Sequence, residues 1–130
     1  MKHIEVVAAA IIKNKKVFVC KRPEGKYLAG HFEFPGGKIE ANETYEQALK
    51  REIIEELNTK ISVGKLLLTV NHDYPIYNVT LRLFECEVIE GKLELMEHSD
   101  AIWCGADDFD KLTFVPADAP IIKYLKGYLK

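Results

Sequence analysis

The stretch GGKIEANETYEQALKREIIEELN, residues 36 to 58, decides how this chain is read. From Glu43 or Thr44 to Leu57 it consists of good helix formers, and Asn58 tolerates the left-handed backbone that often ends a helix. At roughly 100° per residue, with Ala48 at zero, Glu52, Glu55 and Glu56 fall at about 40°, 340° and 80°. Three carboxylates therefore share one face. Leu49, Ile53, Leu57 and Ile54 fall at about 100° to 240°, an apolar side to lay on a sheet. Like charges three or four residues apart cost on the order of 0.2–0.5 kcal/mol per pair, and only Lys50 and Arg51 lie among these acids to offset it.

A solvated acidic face is the plain reading of such a helix. A hard divalent cation is the other, because Mg²⁺ takes oxygen ligands and is commonly held by a few carboxylates together with substrate phosphates. The preceding loop supports the second reading. Gly36 and Gly37 follow Pro35 and let the backbone turn tightly, bringing carbonyl oxygens close to a ligand or ion. Turn and helix together describe a metal and polyphosphate site.

On the N-terminal side, IEVVAAAII (4–12) and VFVCKR (17–22) read as two strands of a hairpin joined by a short polar turn. Residues 23–43, with Pro23, Pro35 and several glycines, read as loop with a short extended piece from His31 to Phe34. Beyond the helix, residues 61–74 and 76–90 are β-branched or alternating and predict two long antiparallel strands around a turn near Pro75. Shorter strands are expected at Lys92 to Leu95 and Ala101 to Cys104. Asp118 offers a cap, Pro120 a first turn, and Ile121, Ile122, Leu125 and Leu129 an apolar stripe for a closing helix.

With 130 residues and 48% hydrophobic composition, the chain suits one domain, residues 1–130, with a real core. A formal charge of −2, from 18 basic and 20 acidic residues, argues against a grip on duplex nucleic acid and for a small partner. Cys20, Cys86 and Cys104 have no metal or redox spacing and read as buried free thiols. Without a leader pattern or an apolar run near the roughly 20 residues a bilayer needs, a cytoplasmic protein with no membrane partner is expected, as a monomer or weak homodimer. His3, His31, His72 and His98 are scattered at no metal spacing, which favours surface or packing roles.

Gly37, five residues, Glu43, seven residues, Arg51-Glu52, apolar Ile53, one residue, then Glu55-Glu56 resembles the Nudix box. Asn58 and Thr59 depart from the usual Gly and apolar residue, at positions that concern helix termination. FEFPGGKIE, VPADAPI and the strand order extend the resemblance to the MutT-like nucleoside triphosphate pyrophosphohydrolases. It implies an α/β/α sandwich with a mixed sheet, and hydrolysis of a nucleotide to monophosphate and pyrophosphate. It also implies that Glu52, Glu56 and the Gly37 carbonyl hold Mg²⁺ or Mn²⁺, with Glu55 binding directly or through water. Arg51 would orient Glu43 or Glu52, and either Glu52 or Glu97, itself a possible metal ligand, would be the general base.

By the same resemblance Arg22, Phe34 and Asp118 line the nucleobase pocket, with Asp118 where Asn is common. An ionised Asp only accepts hydrogen bonds, so Asp118 is expected to favour a base offering an amino group, such as cytosine. Oxidised guanine fits if it presents N–H donors or if Asp118 is protonated; Asp118 as a simple helix cap is the alternative. The expected role is house-cleaning of modified or surplus dNTPs. Tyr74, Pro75 and Tyr77 lie roughly where ADP-sugar or dinucleotide hydrolases of the family carry markers, though YPIY is also an ordinary turn. A non-catalytic nucleotide-binding module would usually lack box carboxylates that are all present here.

Overall fold

A computed structural model describes residues 2–130. The strands are β1 (Lys2–Lys13), β2 (Lys16–Lys21), β3 (Phe32–Glu33), β4 (Gly36–Lys38), β5 (Lys60–Asp73), β6 (Tyr77–Glu90) and β7 (Asp100–Cys104). The helices are α1 (Tyr45–Leu57) and α2 (Ala119–Tyr128), with 3₁₀ turns at Phe109–Lys111 and Pro116–Asp118. The β1–β2 hairpin turns through Asn14 and Lys15, whose φ angles of 53° and 61° match a two-residue turn suited to strand twist.

Strand β1 organises the sheet. It runs parallel to β6 and antiparallel to β4 and β2, while β2 carries β3 and β7 and β5 flanks β6. Its uninterrupted apolar run follows from burial on both faces. Val7, Ala9 and Ile11 pack with Ala48, Leu49, Ile53 and Leu57 of α1, whereas Ala8 and Ala10 pack with Ile121, Leu125 and Leu129 near the chain's end. The result is the α/β/α sandwich with a mixed sheet.

Three local expectations change. The PGG segment is not all loop: Gly36–Lys38 pairs with Val6–Ala8 as β4. A Cβ on Gly36 would lie 2.0 Å from the Val7 carbonyl oxygen, so glycine permits this approach. Lys92 to Leu95 is not a strand, because its backbone donors go elsewhere: Leu93 N–H to Thr59 Oγ1 and Glu94 N–H to the Leu57 carbonyl. Ile54 leaves the apolar side of α1 and is 53% exposed. Among the described residues no helix is long and apolar enough to cross a membrane.

Candidate active site

The buried arc of α1 runs from Ala48 through Leu49 and Ile53 to Leu57, about 0° to 180° on the helical wheel. Glu52 and Glu56, at about 40° and 80°, lie inside that arc, and Glu55, at about 340°, lies outside it. Side-chain exposure follows: Glu52 is 15% exposed and Glu55 is 54%. The helix is held at both ends by its own sequence. Thr44 and Gln47 form a reciprocal capping box, and Asn58 takes the left-handed conformation with φ of 48°.

Arg51 gathers the outer carboxylates. Its Nε and Nη2 donate to Glu43 at 2.7 and 3.0 Å, Nη1 donates to Glu52 at 2.8 Å, and Nη2 also reaches the Lys38 carbonyl at 3.0 Å. Glu55 sits 3.3 Å from the same Nη1. The Glu43 carboxyl is consequently held below the ordinary carboxylate range by Arg51. Glu52 is different. Burial pushes its carboxyl up, and Arg51 only partly opposes that.

Glu52 also lies directly over Gly37, where a Cβ would be 2.3 Å from its Oε2. One turn further, Glu56 accepts from the Gly36 N–H at 3.1 Å. Burial first, then the charges of Glu52, Glu33 and Glu97, raise the Glu56 carboxyl to about 9. This is an oxygen-rich cluster whose negative charge Arg51 answers only at its outer edge.

A cavity of about 300 Å³ opens beside this cluster, lined by Glu56, Gly36 and Gly37 and also by Asp118. Arg22 and Phe34 line it, and so do Tyr74 and Tyr77, for which the reading of YPIY as an ordinary turn gave no such place. The Tyr74 hydroxyl accepts from the Ala117 N–H at 3.2 Å, which fixes its ring in the wall. Phe34 stacks on Phe114 with centroids 6.0 Å apart. Glu97 instead borders a smaller adjoining hollow of about 100 Å³ with Lys26 and His98; Arg22, Glu33 and Glu56 border both spaces.

The structure does not bear out the alternative reading of Asp118 as a helix cap. The residue stands at the N-cap position of α2 but makes no side-chain capping bond. It is 2% exposed, and its Oδ2 has no hydrogen-bond partner among the described residues. Burial, aided by Glu33, holds its carboxyl well above the ordinary range, with the Phe34 backbone N–H opposing. A carboxyl that keeps its proton both donates and accepts, as an Asn would. All three cysteines are free and buried, as expected.

A family model described as a NUDIX domain matches residues 7–124. The chain belongs to the Nudix family. A CTP pyrophosphohydrolase of Escherichia coli (strain K12) is 34% identical over 123 residues, 95% of this chain and 91% of that protein. An 8-oxo-dGTP diphosphatase of Proteus vulgaris is 46% identical over 93 residues, 70% of this chain and 81% of that protein. The solution structure of the E. coli ORF135 protein matches with a TM-score of 0.81 at 33% identity, covering 98% of this chain and 91% of that one.

Nudix hydrolases generally need a divalent metal ion. The donor set here fits one: hard carboxylate oxygens, two of them in the buried arc and one packed on a glycine that leaves no room for a side chain. Among the described residues no three such groups converge on a single ion-sized point, since Glu52 leans to Arg51, Glu55 faces outward and Glu56 bonds Gly36.

Proposed function

We propose that this Nudix hydrolase cleaves nucleoside triphosphates to monophosphate and pyrophosphate, with 8-oxo-dGTP the first candidate substrate and Mg²⁺ or Mn²⁺ the cofactor. The observation that carries this reading is one cavity lined both by Glu56, a buried acid crowded by Glu52, Glu33 and Glu97, and by Asp118, a buried acid with an unpartnered oxygen. When bound, the divalent ion offsets phosphate charge and makes a water more acidic.

The protein's own groups have separate tasks. Arg51 grips Glu43 in a two-pronged pair and steadies Glu52 over Gly37, while the Gly36 N–H orients Glu56. The Gly37 carbonyl, Glu52, Glu56 and Glu97 are the proposed ligands, with Glu55 at the outer edge. Glu52 or Glu97 takes the proton of the attacking water; both stand close enough to Glu56 for their charges to raise its proton affinity. The water oxygen bonds to phosphorus as the anhydride bond breaks, and the departing phosphate carries the electron pair.

We infer that Asp118, in the form that carries its proton, donates to a purine carbonyl oxygen and accepts from a ring N–H. This removes the objection to oxidised guanine that an ionised carboxylate would raise. Cytosine nucleotides are the second reading, favoured by the likeness to a CTP pyrophosphohydrolase over 95% of this chain. We place the reaction in the cytoplasm and treat the nucleotide as the partner. A panel of 8-oxo-dGTP, dGTP, dCTP, 5-methyl-dCTP and ADP-ribose, ranked by kcat/KM, tests the assignment. Fastest release of AMP from ADP-ribose would replace it with an ADP-sugar hydrolase.

A further inference from the structure

Glu33 and His98 are used by none of the roles above; Glu33 borders both hollows and His98 lines the smaller one beside it. The His98 side chain is 4% exposed, and its Nε2–H donates to Glu33 Oε2 at 2.9 Å. Its Nδ1 has no partner among the described residues, so that single bond and packing set the ring's orientation. The other Glu33 oxygen accepts from Arg22 Nη1 at 3.0 Å, and Arg22 Nε donates to the Tyr27 carbonyl at 2.7 Å. A chain of contacts thus runs from the cavity through the half-buried Arg22 and Glu33 to the buried His98 ring.

The segment carrying His98 has no ladder of its own. Between β6 and β7 the backbone is irregular, tied by Met96 N–H to the Glu56 carbonyl at 3.0 Å and by Ser99 N–H to the Lys21 carbonyl at 3.1 Å. Glu97 lies between those ties, and the next side chain, His98, is buried on Glu33. A hydrogen bond of this kind adds little net stability, since each partner gives up a hydrogen bond to water. Their measurable consequence is orientation.

We propose that Glu33 and His98 are a positioning pair: the buried hydrogen bond between them holds Glu97 against the Glu52–Glu56 cluster and couples that placement to Arg22 at the nucleotide cavity. The inference rests on the pyrophosphohydrolase reading above and deepens it.

The test uses the full chain and the variants His98→Leu, His98→Gln and Glu33→Gln. Three quantities are measured: Mn²⁺ affinity without nucleotide by electron paramagnetic resonance, hydrogen exchange of residues 94–99 in chelator-treated protein, and kcat and KM for the best wild-type substrate. His98→Leu is expected to weaken Mn²⁺ binding and lower kcat by about 10-fold each, the scale seen for groups that orient metal ligands, with KM changed less than about two-fold. Exchange of residues 94–99 is expected to quicken. His98→Gln keeps an N–H donor and is expected to recover most of both losses, which a purely structural contact would not require. If His98→Leu fails to fold, Glu33→Gln decides. Its one remaining acceptor cannot serve both His98 and Arg22, so weakened Mn²⁺ binding supports the pair and wild-type binding overturns it. Equal losses in the Leu and Gln variants also overturn it. A wild-type protein that neither binds Mn²⁺ nor hydrolyses nucleotides removes the functional reading and this inference with it. An active wild type matched by all three variants removes the pair alone.

Discussion

Glu56 and Asp118 line one cavity, and both are buried acids with raised proton affinity. Their surroundings differ. Glu56 has Glu52, Glu33 and Glu97 as charged neighbours, whereas Asp118 feels only Glu33 beyond its own desolvation. A solitary buried carboxyl is satisfied by keeping its proton, and then reads a ligand by donating and accepting. A clustered one leaves charge that a single proton does not remove, which a divalent ion can answer. Two similar shifts thus correspond to two different chemistries.

The largest way to break this comparison is at Glu56. Glu56→Gln is expected to lower kcat by more than about 100-fold, beyond the usual cost of losing a group that merely supports a ligand, with the circular dichroism spectrum unchanged. Asp118 comes next. Asp118→Leu is expected to cut kcat/KM for the preferred nucleotide by about 10- to 100-fold, the equivalent of one to two strong hydrogen bonds. Asp118→Asn, which keeps a donor and an acceptor, should stay within about three-fold of wild type. A large loss in the Asn variant would mean that an ionised Asp118 does the reading.

The comparison sharpens when pH is varied in the chelator-treated protein. Glu56 ordinarily releases its proton near 4.5 but in the fold holds it to about 9. The folded state therefore binds more protons across that window, and its stability falls as pH rises from about 4.5 to about 9. Thermal melts are expected to decline over this range, less steeply on adding Mg²⁺ or Mn²⁺ and less steeply in Glu56→Gln, where the raised Asp118 and Glu52 still contribute. A melting temperature that rises with pH would reverse the assignment. The smallest effect lies outside both acids: Thr44→Ala breaks the capping box, costing about 1 kcal/mol of stability, and leaves kcat and KM unchanged.

The sequence showed most of the architecture because the signals were local. The β1 apolar run, the α1 caps and the β5–β6 alternation each lie within a dozen or so residues of chain. Strand β4 escaped because its evidence is a contact with Val7, remote in sequence, and two glycines carry no pattern. Lys92 to Leu95 misled for the converse reason: its alternation is local, while its hydrogen bonds go to the end of α1. At the site, spacing grouped Glu52 with Glu56, but their place inside the buried arc needed the sheet beneath them. The raised proton affinity of Asp118 depends on burial and the bond between Glu33 and His98 on a contact remote in sequence, neither of which a motif encodes.

Product analysis of wild type and Glu56→Gln with 8-oxo-dGTP and Mg²⁺, followed by ³¹P NMR, tests the central claim most directly. The account predicts pyrophosphate and the nucleoside monophosphate from the wild-type protein and almost none from the variant. Wild-type turnover in Glu56→Gln, or cleavage that releases single orthophosphates in place of pyrophosphate, would contradict it.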